Sequence, residues 1–230
     1  MRYVDKSQFD VGMEVLRRLD KAGVLSKVIL IGSWCLPLYG VHYSAKSNLT
    51  TLRTRDIDFL VSRNTKFHEK INLPALLKDL GFIEDYNYPV GLIKLIHPEL
   101  IMEFLVPERG RGSSKPYPLP FLSMNAQRLR FLELLEENTI TVIFNGLEIN
   151  VPHPVNFGLH KLIISQKRKK EDKRSKDLDA GLSVLNLHIE KKGGDQLTKV
   201  FEKISQRQKR RILEVLEEEK SYNILEILNP

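Results

Sequence analysis

Cysteine is almost absent: Cys35 is the only one in 230 residues. No intrachain disulfide can form, and a zinc site built from several thiolates is excluded. Long apolar runs are missing as well. None approaches the ~18 residues that a membrane span needs, so no membrane partner is expected. The opening stretch "MRYVDKSQFD" lacks the pattern of a secretory leader, and a cytoplasmic protein is the expectation. There is no internal repeat and no low-complexity tract. The histidines, His42, His68, His97, His153, His160 and His188, show no metal-ligand spacing and read as structural or surface residues.

What is present suits a folded, basic protein. Apolar residues make up 42% of the chain, enough for a core. Lys and Arg number 36 against 29 Asp and Glu, a net charge of +7 that favours anionic partners such as nucleotides or RNA.

The periodicities predict a first helix over "SQFDVGMEVLRRLDKAG" and a buried strand in "KVILIG", with a short helix from Ser33 to Gly40. A polar loop, "VHYSAKSNLTTL", leads to a second strand in "DIDFLV". "EKINLPALLKDLG" reads as helical, with Pro74 either near its start or at a break. "GLIKLI" and "LIMEFLV" read as a hairpin, followed by the Gly- and Pro-rich loop "PERGRGSSKPYPLP". "AQRLRFLELLEEN" is expected to be helical. "TITVIFNGLEINVP" is a hairpin turning at Asn145-Gly146. From Pro154 onward the pattern is helical, with a break at "KKGGDQ". The shift in composition near residue 152 marks the expected domain boundary, an α/β part at 1–152 and a helical part at 153–230.

Three places carry possible chemistry. At Gly32-Ser33 a strand runs into a helix. Free backbone N–H groups there suit phosphate oxygens, and Ser33 can either donate to a phosphate or simply cap the helix. In "RTRDIDFLV", Asp56 and Asp58 stand two apart on a strand, so both carboxylates point to one face. Their repulsion would be cancelled by a divalent cation with a preference for hard oxygen ligands, Mg²⁺ above all. In "LIMEFLV", Glu103 is the lone charge of an apolar strand. It needs a partner, which a metal or a nearby lysine can supply.

In this order, these features resemble the DNA polymerase beta-like nucleotidyltransferase superfamily. "RTRDIDFLV" looks like the R-T-x-D-I-D stretch of bacterial nucleotidyltransferases. "IMEFLVPERG" and "VPHPVNFGLHKLIISQKRKKEDKRSKDLDAGLSVL" look like later segments of one such family, related to abortive-infection and toxin nucleotidyltransferases. The resemblance spans roughly residues 28 to 186 and implies an α+β fold, a small mixed sheet flanked by helices and followed by a C-terminal helical domain.

The resemblance further implies a Mg²⁺-dependent transfer of a nucleoside monophosphate from an NTP such as ATP to a hydroxyl, with release of pyrophosphate. Asp56 and Asp58 would hold two Mg²⁺ ions (or Mn²⁺), and Glu103 would bind the second and help deprotonate the acceptor. Gly32 and Ser33 would hold the β and γ phosphates. Lys161 would neutralise triphosphate charge, and Asp177 would orient Lys161 or a metal-bound water. Of Arg53 and Arg55, which flank the acids, one would pair with a carboxylate and the other meet phosphate. Lys161 can equally be read as a snorkelling residue at a core edge. The acceptor is a tRNA end, a protein or a small molecule, and the toxin likeness adds an antitoxin-like protein partner. The run 167–176 carries seven cations against two acids, which is a solvated face or a guide for RNA or NTP. A non-catalytic nucleotide- or RNA-binding regulator on the same fold is the alternative.

Overall fold

The computed structural model describes residues 6–45, 55–113 and 115–229. These residues divide into two units. One holds 6–38 and 55–152, the other 39–45 and 153–229. The helical unit thus takes in the chain from Tyr39, a segment the composition of the sequence assigns to the first part.

The first unit is built on a seven-stranded mixed sheet. Its strands are β1 (Ile29–Ile31), β2 (Asp56–Leu60), β3 (Ile83–Asn87), β4 (Leu92–Ile96), β5 (Ile101–Pro107), β6 (Tyr117–Leu119) and β7 (Met124–Leu129). The order runs β1-β2-β5-β4-β3, with β7 beside β5 and β6 beside β7. β5 lies parallel to β2 and β7, and antiparallel to β4. A separate hairpin, β8 (Thr139–Phe144) and β9 (Leu147–Pro152), turns at Asn145-Gly146. Both turn residues have positive φ, 49° and 80°, as a two-residue hairpin turn requires.

Helices α1 (Lys6–Lys21), α2 (Cys35–His42), α3 (Leu73–Leu77) and α4 (Glu133–Glu136) punctuate these strands. Pro74 falls in the first turn of α3, where its missing N–H costs nothing, and Asn72 caps the helix by accepting from Ala75 N at 3.0 Å.

Alternation separates the two sheet faces. Leu30, Ile57, Phe59, Met102 and Phe104 are buried on one. The other is divided along its length. Leu60 and Leu105 are covered by Leu132 and Leu135, while Asp56, Asp58 and Glu103 occupy the opposite end of the same strands, where Asp56 is exposed.

Three segments depart from expectation, the briefest being β6, which forms inside the stretch read as a Gly- and Pro-rich loop and pairs with β7. "AQRLRFLELLEEN" is not one helix. Its first residues form β7, which pairs with Leu105–Pro107 and satisfies backbone groups of a buried strand that a helix would leave unpaired. Phe131 then adopts φ +71°, which ends any continuous helix, and only the short α4 follows. β3 is the third: all five of its residues are exposed, so it carries no apolar alternation to announce it.

The second unit packs α5 (Pro154–Ser165), α6 (Glu171–Lys192), α7 (Asp195–Lys203), α8 (Gln206–Glu218) and α9 (Tyr222–Leu228). α5 and α6 cross at two glycines. A Cβ on Gly158 would lie 2.5 Å from the Leu185 side chain, and one on Gly181 would lie 3.1 Å from the Gly158 carbonyl. No helix among the described residues is long and apolar enough to cross a membrane.

Candidate active site

β1 carries the chain into a single 3-10 turn, Gly32–Trp34, which runs straight on into α2. Gly32 has φ +72°, a conformation that side-chain-bearing residues rarely adopt. It is also needed for space, since a Cβ there would lie 2.9 Å from Asp58 Oδ2. The glycine therefore lets the turn and the first carboxylate strand meet, and the register agrees, with Ile31 opposite Asp58. Ser33 is half-buried inside the turn, and Ile31 takes the cap position without a side-chain bond. Capping therefore does not account for Ser33.

The bulky residue that ends the turn packs against α1. Trp34 is fully buried. Its ring stacks on Phe9 of α1, centroids 6.3 Å apart, and fills the space that a side chain at Gly12 would take. Pro37 sits in the first turn of α2, where a missing N–H is tolerated.

The strand register aligns the acids. Asp58 is the direct partner of Glu103 across the parallel β2–β5 pair, and Asp56 lies two residues back on the same face. All three share one face, yet Glu103 is turned toward a cation. Its Oε1 accepts from Lys94 Nζ at 2.6 Å, with the two side chains 13% and 27% exposed. Among the described residues, no three His, Cys, Asp or Glu side chains are gathered closely enough to hold a metal ion. The expected triad is thus an aligned row, with its third member engaged by lysine instead of converged on the other two.

The donor chemistry still suits a hard divalent cation. Asp56 and Asp58 offer only carboxylate oxygens, and the bare Cα of Gly32 leaves Asp58 Oδ2 room. Glu103 joins this set if Lys94 releases it.

Arg55 is exposed and donates to the His97 carbonyl at 3.2 Å, which ties it to the β4–β5 turn and to neither a carboxylate nor the Gly32-Ser33 turn. Arg53 lies outside the described residues.

In the helical unit, Lys161 and Asp177 form a pair of their own. Lys161 Nζ lies 2.6 Å from Asp177 Oδ1, and Arg168 Nε lies 2.6 Å from the other oxygen. Lys161 and Asp177 are buried, and the ammonium also sits 5.5 Å from the Phe157 ring centroid. Lys161 is therefore no snorkelling residue: its charge is held inside by a carboxylate.

Two of the histidines have structural partners. His153 caps α5 by accepting from Val155 N, and His188 Nδ1 lies 2.6 Å from the Tyr43 hydroxyl. Burial pushes the His160 imidazole down to about 3.

Sequence reasoning missed Lys94 and Arg168. Lys94 left a trace as the only charge in "GLIKLI", and pairing the two hairpin strands places it opposite Glu103. Arg168 was one of seven cations in its run, with nothing in the pattern to single it out.

A solved structure shares this mixed sheet with its flanking helices. An antigenic nucleotidyltransferase-like protein from Paracoccidioides brasiliensis superposes with a TM-score of 0.53 at 15% identity, over 97% of this chain and 93% of that one. The chain belongs to the nucleotidyltransferase family, whose model matches residues 11–206. The antibiotic-resistance factor ANT(2″)-Ia superposes less closely, with a TM-score of 0.48 at 11% identity over 95% of this chain and all of that one. No curated protein matches the sequence.

Proposed function

We propose that this protein transfers a nucleoside monophosphate from an NTP to a hydroxyl acceptor and releases pyrophosphate. The observation that carries the reading is how closely Asp58 approaches the Cβ position that Gly32 leaves empty, which sets a phosphate-type turn beside the acid pair. Asp56 and Asp58 would hold Mg²⁺ or Mn²⁺, with Glu103 as a third ligand. A bound divalent cation supplies charge neutralisation for an in-line displacement at phosphorus. Backbone N–H groups of the Gly32–Trp34 turn and the Ser33 hydroxyl orient the leaving phosphates. Glu103 accepts the proton of the attacking hydroxyl.

For the acceptor, the surface of the helical unit favours RNA over a small molecule. Its exposed α5–α6 turn carries Lys169 and Lys170. Gln166 at the end of α5 donates to the Arg211 carbonyl of α8 at 3.1 Å, which joins this turn to the basic half of α8. Arg207, Lys209, Arg210 and Arg211 occupy the N-terminal half of α8, and Glu214, Glu217 and Glu218 the C-terminal half. That polarity opposes the helix dipole, so helix stability does not explain it. A phosphate backbone as partner would suit it.

The test incubates the protein with a divalent cation, each labelled NTP and an RNA pool. Label moves to RNA with wild type and is lost in Asp58→Asn. Glu103→Gln abolishes transfer but spares most of the NTP affinity. The Lys94–Glu103 pair favours a second reading, a nucleotide- or RNA-binding regulator that performs no transfer. Tight NTP binding without pyrophosphate release across a broad acceptor screen establishes that one.

A further inference from the structure

Lys94 is charged, sits in an otherwise apolar strand and takes no part in the transfer step itself. It extends a row of side chains across the sheet. Ile31, Asp58 and Glu103 are consecutive partners on β1, β2 and β5. The β4–β5 and β3–β4 registers then place Lys94 next and Asp85 after it. Cross-strand partners point to one face. The order of charge along the row is therefore acid, acid, lysine, acid, with the lysine beside the one acid that β5 contributes.

This placement has two physical consequences. Asp58 and Glu103 are like charges on adjacent strands, and Lys94 offsets their repulsion. Lys94 also fixes which way Glu103 turns, because a hydrogen-bonded pair at 2.6 Å with a carboxylate only 13% exposed allows little rotation. Any cation held by Asp56 and Asp58 must compete with Lys94 for Glu103.

We infer that Lys94 is a positioning residue for Glu103, which holds that carboxylate aligned beside Asp58 and sets how readily it joins the cation. The inference rests on the assignment of the acid row as the reacting site. It is distinct from any contact between Lys94 and substrate.

The test measures Mn²⁺ binding by electron paramagnetic resonance alongside transfer kinetics. Lys94→Met binds Mn²⁺ about fivefold more tightly, because the competing ammonium is gone. Its kcat falls about tenfold while KM for the NTP stays within about twofold, because Glu103 is no longer held in place. Lys94→Arg, which keeps the ion pair, restores both values to near wild type. In a Glu103→Gln background, Lys94→Met changes Mn²⁺ affinity by less than about twofold. An unchanged Mn²⁺ affinity in Lys94→Met, or an equal gain with and without Glu103, overturns the inference. If wild type transfers nucleotide from no NTP, the reading of the site as catalytic fails, and the Mn²⁺ comparison still decides the role of Lys94.

Discussion

Gly32→Ala separates backbone strain from crowding at the acid pair. Gly32 has φ +72°, and its added methyl would stand 2.9 Å from Asp58 Oδ2. Gly23, just past the end of α1, has nearly the same φ, +67°, with nothing within 4 Å of the place a methyl would take. Gly23→Ala therefore carries the cost of a left-handed backbone alone, about 1–2 kcal/mol. Gly32→Ala carries that cost and must also displace the Asp58 carboxylate, at roughly 0.5–1.5 kcal/mol for a side chain forced off its rotamer. Chemical denaturation should show both variants destabilised, with Gly32→Ala the worse by about 1 kcal/mol. The sharper readout is Mn²⁺ titration. Gly23→Ala should bind like wild type, and Gly32→Ala should lose about tenfold in affinity, because Asp58 has been pushed from its place. Equal Mn²⁺ affinity in the two variants would refute the idea that Gly32 is there to make room for Asp58.

Asp177→Asn should be among the most damaging single changes in the helical unit, costing about 3–5 kcal/mol by denaturant titration, because it strands the buried Lys161 charge. The double variant Lys161→Met/Asp177→Leu should recover most of that loss, and failure to recover would mean that the pair does more than cancel charge. Acid should weaken this unit through His160. Burial depresses its folded pKa to about 3, so between pH 6.5 and that value the unfolded chain binds the proton and stability falls as pH falls. The expected slope from this residue is about 1 kcal/mol per pH unit, and His160→Phe should flatten it in denaturation curves taken between about pH 4 and 7.

Asp56 and Asp58 were legible as a pair because alternation along a strand is a local property that needs only neighbouring residues, while Glu103 joined them through the family resemblance. The orientation of Glu103 was not legible, since it depends on how β4 pairs with β5, and that register is set by the whole hairpin. The same distinction explains β7. "AQRLRFLELLEEN" has a respectable helical pattern, and only the unmet hydrogen bonds of β5, far away in sequence, make it a strand. β3 escaped notice for the opposite reason: an edge strand exposed on both faces leaves no hydrophobic imprint. In the helical unit, "LHKLIIS" drew attention to Lys161, while its tie to Arg168 through a shared Asp177 required the crossing of α5 over α6, which two glycines permit.

Trp34 is the only tryptophan in the chain, and it is buried directly behind the Gly32-Ser33 turn, stacked on Phe9. The protein thus carries a built-in optical probe. Tyrosines aside, its ultraviolet emission comes from one indole whose surroundings are the first helix and the turn. Any rearrangement of that turn will register in the emission maximum or intensity without a label, a substituted residue or a coupled assay.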